Sequence, residues 1–248
     1  GERNEALGAA REAVELYRGL AAASPAAYTP DLAGSLNNLA NRLSEVGERN
    51  EALGAAREAV ELYRALVEES QVAYTPNLAM SLTNLANRFS AVGERNEALE
   101  AAREAVELYR GLAEASPVAY TPDLAMSLNN LANRLSEVGE RNEALEAARE
   151  AVRLRRALAE ASPQAYTPDL AGSLTNLASI LSAVGEQDRA LEAAREAVEL
   201  YRGLAEASPQ AYTPRLATSL NNLVIRLSAV GERNEALVAA REAVRLRR

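Results

Sequence analysis

A seven-residue block, GERNEAL, begins at Gly1, Gly47, Gly93, Gly139 and Gly231, and its variant GEQDRAL begins at Gly185. Each start follows the previous one by 46 residues. The tetrapeptide AYTP keeps the same phase, from Ala27, Ala73, Ala119, Ala165 and Ala211. A fixed period of this length means that one supersecondary unit is copied along the chain. The 248 residues divide into units 1–46, 47–92, 93–138, 139–184 and 185–230, with a half-unit at 231–248. They read as one array, 1–248.

Each unit carries two helical patterns. From Pro30 to Val46 the apolar residues Leu32, Leu36, Leu39, Ala40, Leu43 and Val46 fall on one helix face. Thr29 and Pro30 suit the cap and first position of this helix, A, and Gly47 suits its left-handed stop. The second helix, B, runs from about Glu48 to Ser70. Its apolar stripe is Ala52, Leu53, Ala56, Ala59, Val60, Tyr63, Leu66 and Val67, and Glu51, Arg57, Glu58, Glu61 and Arg64 lie outside it. Ser-Pro follows in most copies, and AYTP reads as the turn into the next helix A. Neither stripe can be covered by one partner, so the units must stack on their neighbours. Nothing alternates with period two. The expected fold is all-α: a right-handed α-solenoid, or superhelix, of antiparallel helix–turn–helix repeats with eleven helices.

The residues that are missing narrow the function. The chain has no Cys, His, Trp or Lys, and its 27 basic residues are all Arg. Disulfides, thiolate chemistry, and Ser-His, Cys-His or Schiff-base catalysis are therefore excluded, as are the usual zinc, copper and haem ligands. Asp occurs only at Asp31, Asp123, Asp169 and Asp188. No enzyme, catalytic residue, metal or cofactor is expected. A net charge of −8 opposes the basic footprint that nucleic acid requires. No apolar run reaches the ~18 residues of a membrane span. The chain starts in repeat sequence at Gly1, so no leader is read, and a cytoplasmic protein is expected.

The pattern resembles the tetratricopeptide repeat. Leu39-Ala40, Gly47, Ala52 and Ala59 occupy that family's places for a Leu–small pair, a turn glycine and two small residues, and the other copies match except for Val224 after Leu223. SLNNLA at Ser35–Ala40 is similar to the extended repeats of kinesin light chains and of bacterial signalling arrays. The usual unit has 34 residues, so each copy here is 12 longer, which is assigned mostly to the end of helix B and the following loop.

The resemblance implies a protein-interaction scaffold that binds a peptide or partner protein in a concave groove lined by the A helices, in a fragment of a larger protein. The alternative is a structural or self-assembling module with no dedicated ligand. A helical wheel places Gly34, Asn37, Asn38, Asn41 and Glu45 of the first helix A opposite its buried face. The equivalents are Met80, Thr83, Asn84, Asn87 and Ala91; Met126, Asn129, Asn130, Asn133 and Glu137; Gly172, Thr175, Asn176, Ser179 and Ala183; and Thr218, Asn221, Asn222, Ile225 and Ala229.

Asn38, Asn84, Asn130, Asn176 and Asn222 make a five-step ladder of carboxamides, which donate and accept and so suit a peptide backbone. Equally, such amides can bond the neighbouring helix. Met80 and Met126 suit an irregular apolar side chain or plain packing. Arg42, Arg88, Arg134 and Arg226, interrupted by Ile180, suit carboxylates, including nearby Glu. Tyr28, Tyr74, Tyr120, Tyr166 and Tyr212 read as wedges under the AYTP turn. At the ends, the stripes Ala6, Leu7, Ala10, Val14, Tyr17 and Leu237, Ala240, Ala243, Val244, Leu246 lack a covering helix, so end-to-end self-association is expected.

Overall fold

A computed structural model describes residues 2–247; Gly1 and Arg248, where the array read from sequence begins and ends, lie outside them. The described residues hold eleven helices and no strand. They are α1 (Glu2–Ala23), α2 (Pro25–Glu45), α3 (Arg49–Glu69), α4 (Gln71–Val92), α5 (Arg95–Ala115), α6 (Pro117–Val138), α7 (Arg141–Ala161), α8 (Pro163–Ala183), α9 (Gln187–Ala207), α10 (Pro209–Ala229) and α11 (Arg233–Leu246). Even-numbered helices are of type A and odd-numbered ones of type B.

The two kinds of connection follow from local chemistry. From A to B the chain turns at Gly47, Gly93, Gly139, Gly185 and Gly231, whose φ angles lie between +86° and +90°. The following N–H donates five residues back, from Glu48 to the Leu43 carbonyl (2.9 Å) and from Glu94 to that of Phe89 (3.0 Å). Glycine reaches this left-handed conformation without a Cβ penalty, and the bond satisfies a carbonyl that the helix end leaves free.

From B to A the link is a single extended serine, such as Ser24 (φ −147°, ψ 80°). In most copies the next residue is proline, which drives its predecessor out of helical geometry and suits the first helical position itself. Where Gln71 replaces that proline, α4 still starts there.

The start of helix A differs from the sequence expectation. AYTP is not a turn: helix A opens five residues earlier, at Pro25, and Pro30 lies inside it. The internal proline removes one backbone bond, the one to the carbonyl of Ala26, an exposed residue. Thr29, read as a cap, instead donates its hydroxyl to the Pro25 carbonyl at 2.8 Å, and Thr75 does the same to Gln71 at 2.7 Å. The tyrosines expected under a loop lie half-buried in the opening turns of the A helices. The twelve extra residues therefore lengthen helix A as well as helix B.

The chain divides into two compact units, Gly1–Tyr120 and Thr121–Arg248. In the first, α1 to α5 pack consecutively, and α2 also touches α4. Alanines form the seam: Ala33, Ala40, Ala52, Ala56 and Ala59 are all fully buried, with Leu36 and Leu43 at 1% exposure beside them. Small side chains let the helices approach closely, and each buried leucine contributes about 1.5–3 kcal/mol.

In the second unit α7 to α11 pack consecutively and α8 touches α10. Ala144, Ala151, Ala171, Ala190 and Ala197 are its fully buried small residues, with Leu174, Leu220 and Leu227. In both units backbone contact between like helices joins A to A. The B helices meet through long side chains instead, so the A helices form the inner row of each unit.

Candidate functional site

The B-helix row is clipped by ion pairs between residues 40 apart. Arg11–Glu51 (2.7 Å), Arg18–Glu58 (2.8 Å) and Arg64–Glu104 (2.6 Å) lie in the first unit. Arg156–Glu196 (2.8 Å), Arg195–Glu235 (2.6 Å) and Arg202–Glu242 (2.7 Å) lie in the second. Most are solvent-exposed, with Arg202–Glu242 partly buried, and exposed pairs of this kind contribute about 0–1 kcal/mol each. The sequence placed these charges outside the apolar stripe without pairing them, although the spacing is simply one period less six residues. These pairs tie neighbouring B helices to one another, while the inner row carries carboxamides on its accessible side.

On the inner row of the first unit, Gly34, Asn38, Asn41, Met80, Asn84 and Asn87 are all at least partly accessible, with Met80 41% exposed. In the second unit the same holds for Met126, Asn130, Asn133, Asn176 and Asn222. Among the described residues, Asn38, Asn84, Asn130 and Asn222 make no side-chain hydrogen bond to protein. Asn176 differs, donating to the carbonyl of Asn129 (3.4 Å) and to its Oδ1 (3.2 Å).

Asn37 is a correction to the helical wheel. It is 3% exposed and donates to the Ser81 hydroxyl at 2.6 Å, while Ser81 donates to the Asn77 carbonyl at 2.8 Å. Thr83, its equivalent, is also buried and bonds the Ala79 carbonyl at 3.0 Å. An isolated wheel ignores the neighbouring A helix, which covers this side and narrows the accessible arc.

The arginine row splits in two. Arg42 pairs with Glu45 at 2.8 Å and Arg134 with Glu137 at 3.1 Å, each one turn along its own helix and not on helix B. Arg88 and Arg226 have Ala91 and Ala229 at that place, and burial lowers the pKa of both guanidiniums. Arg57 lies 4.9 Å from the centre of the Phe89 ring.

A feature missed in the sequence lies beneath the inner row. Tyr63, read only as part of the B stripe, is 2% exposed, and its hydroxyl donates to the Pro30 carbonyl at 3.5 Å. A Cβ on Gly34 would stand 3.5 Å from that hydroxyl, and one on Gly172 would stand 3.6 Å from the hydroxyl of Tyr201. The signal was available, because glycine at 34 and 172 alternates with Met80, Met126 and Thr218 in one register position. At the tyrosine register Arg155 substitutes; it is 9% exposed and donates to the Asp169 carbonyl at 2.7 Å. Burial lowers its pKa, and the nearby Asp169 carboxylate partly offsets that.

A family model for the tetratricopeptide repeat matches residues 32–71, 78–115, 124–163, 170–207 and 216–248. The chain belongs to the tetratricopeptide-repeat family. The matched stretches begin in the A helices and run through the B helices that follow. A search of curated proteins finds no match.

Among solved structures, the chain is similar to BtubC (BKLC) from P. vanneervenii, with TM-score 0.78 and 21% identity over 100% of this chain and 91% of that one. It is also similar to a Podosopora anserina protein described as a kinesin light chain with nearly identical TPR-like repeats. That match has TM-score 0.67 and 21% identity over 88% of this chain and 96% of that one. YrrB, described as a TPR protein with an unusual peptide-binding site, matches with TM-score 0.53 and 19% identity over 94% of this chain and 93% of that one. At these identities the likeness establishes the fold. The tetratricopeptide repeat is a scaffold family whose members bind peptides or proteins. No described helix is long and apolar enough to cross a membrane.

Proposed function

We propose that, within each unit, the inner face of the A helices holds an extended segment of a partner protein, with the asparagine ladder pairing to its backbone. The observation that carries this is the unused carboxamides of Asn38, Asn84, Asn130 and Asn222 on an accessible face. Buried or packed amides in proteins are nearly always bonded, and a row of free ones at one register offers donors and acceptors together. Packed helices lie about 8–10 Å apart and an extended chain rises about 3.3 Å per residue. One repeat therefore matches roughly three peptide residues. Asn176, tied to Asn129, contributes its remaining acceptor. Met80 and Met126 supply adaptable apolar contacts beside the ladder. The YrrB match adds support, as a repeat protein of the same fold described by a peptide-binding site.

The test starts from peptides selected on the full chain from a random displayed library, with affinity measured by fluorescence anisotropy. Asn38→Ala, Asn84→Ala and Asn222→Ala should each weaken binding about three- to tenfold, the loss of one net hydrogen bond, with melting temperature unchanged. Methylating single peptide N–H groups should weaken binding with a period near three residues. Failure to select any binder, or binding indifferent to both changes, rules the ladder out. A marked fall in melting temperature would assign the amides to inter-helix bonding.

A further inference from the structure

In the second unit a cavity of about 340 Å³ opens between α8 and α10, lined by Gly172, Thr175, Tyr201, Pro214, Arg215, Thr218 and Ser219. Three of its lining positions vary between copies. Gly172 stands where Met80 and Met126 stand in other copies, Thr218 is likewise smaller than methionine, and Arg215 takes the place held by Asp31, Asn77, Asp123 and Asp169. The sign of the charge at this register is reversed only here.

We propose that this cavity binds a carboxylate carried by the partner segment, with the Arg215 guanidinium and the Tyr201 hydroxyl as its two donors. The inference rests on the groove reading above and adds a fixed register to it. Tyr201 is 5% exposed and rises from α9 beneath Gly172. The absence of a side chain at 172 is what leaves the hydroxyl open from the groove.

Arg215 is exposed and lies within electrostatic and hydrogen-bonding reach of that hydroxyl. As the guanidinium donates to the tyrosine oxygen, the phenolic proton remains available to a ligand. The threonine hydroxyls are already committed as donors, Thr175 to the Ala171 carbonyl (2.9 Å) and Thr218 to the Pro214 carbonyl (3.0 Å). They offer only lone pairs, so the guanidinium and the phenol set the preference. The other charges acting on Tyr201 are Arg155 and Asp169, which lie 3.8 Å apart and offset each other. The surplus positive charge is that of Arg215, and a guanidinium beside a hydroxyl donor matches the planar, two-oxygen geometry of a carboxylate.

The full chain labelled with 15N is titrated with N-acetyl-glutamate amide, with its neutral isostere N-acetyl-glutamine amide, and with N-acetyl-glycine, at constant ionic strength. The carboxylate probes should shift the amides of Gly172, Thr175 and Thr218 saturably, and the glutamine analogue should not. The tighter of the two carboxylate probes identifies the source as an acidic side chain or a chain terminus. Arg215→Asp, which restores the acidic residue of other copies and so keeps the fold, should weaken the carboxylate at least about tenfold. Gly172→Met, which reproduces the residue of the second and third copies, should abolish the shifts. Equal response to the glutamine analogue, shifts unaffected by Arg215→Asp, or no saturable shift overturns the proposal. None of these probes spans the asparagine ladder, so a failed cavity leaves the peptide affinities and their dependence on Asn38, Asn84 and Asn222 as a separate result.

Discussion

Gly34 with Tyr63 in the first unit, and Gly172 with Tyr201 in the second, occupy the same two positions of the repeat, yet their surroundings differ. In the first unit Asn77 bonds the tyrosine, Asn37 is buried against Ser81, and Met80 stands at the rim. In the second those places hold Arg215, Thr175 and Thr218, and a cavity opens. Beneath both, the core is the same: Leu36 and Leu174 are 1% and 2% exposed, and Ala33 and Ala171 are fully buried. The repeat thus separates two tasks. The stripe residues hold the helices in register, while a few inner-row positions change size and charge without disturbing them. Copied units can therefore diverge on the inner row one copy at a time while the stripe is kept.

The largest effects should show the shared core. Leu36→Ala and Leu174→Ala should each cost roughly 2–5 kcal/mol, and by the same amount to within about 1 kcal/mol if the cores are equivalent. Urea titration followed by circular dichroism measures both, and clearly unequal losses would break the equivalence.

Arg155 comes next. Arg155→Ala removes a packed side chain and its bond to the Asp169 carbonyl, and should cost about 2 kcal/mol. Arg155→Tyr restores the residue of Tyr63 and Tyr201 and should be neutral or stabilising, because an apolar replacement escapes the desolvation of a buried charge. A large loss of melting temperature in the tyrosine variant would show that the second unit has come to depend on the charge.

Gly34→Ala and Gly172→Ala should raise stability, by about 0.5–1 kcal/mol each, because both glycines are helical and not left-handed. The added Cβ meets only the tyrosine hydroxyl, at 3.5 Å and 3.6 Å, an ordinary contact. Destabilisation at either site, read as a lower melting temperature, would show that the glycine serves the fold and not an open hydroxyl.

What the sequence made legible follows from the physics it encodes. Period, apolar stripes and the left-handed glycines are local and repeated, so the eleven helices and their stops could be read directly. Thr29-Pro30 misled because a cap signature and an internal proline look alike until Ser24-Pro25 is weighed as the stronger start. Asn37 misled because its burial comes from a second A helix, which no single-helix wheel contains. The ladder residues were identifiable as a surface set, but whether an amide is free depends on its neighbour, as Asn176 and Asn129 show. The cavity was the least legible. It arises from Gly172, Tyr201 and Arg215 together, and these meet only once α8, α9 and α10 have packed.

The smallest effect is also the most local. Burial pushes the hydroxyls of both Tyr63 and Tyr201 above the ordinary tyrosine pKa of 10.0. For Tyr63 the main opposing influence is a hydrogen bond with Asn77, and for Tyr201 it is the charge of Arg215 and then a bond from it. A phenol whose folded pKa is raised contributes its full stability below pH 10 and loses it as pH climbs toward the folded value, because the unfolded chain ionises first. Melting temperature should therefore fall from about pH 10 upward, beyond the loss shown by a variant with both tyrosines changed to Phe. Arg215→Asp should move Tyr201 higher still, since it removes the favourable charge and adds an unfavourable one, and should leave Tyr63 unchanged. Tyrosine 13Cζ shifts followed through an alkaline titration resolve the two rings. A Tyr201 that titrates at the same pH or earlier in the variant would place Arg215 out of reach of the hydroxyl, and the contrast between the two glycine–tyrosine sites would reduce to cavity size alone.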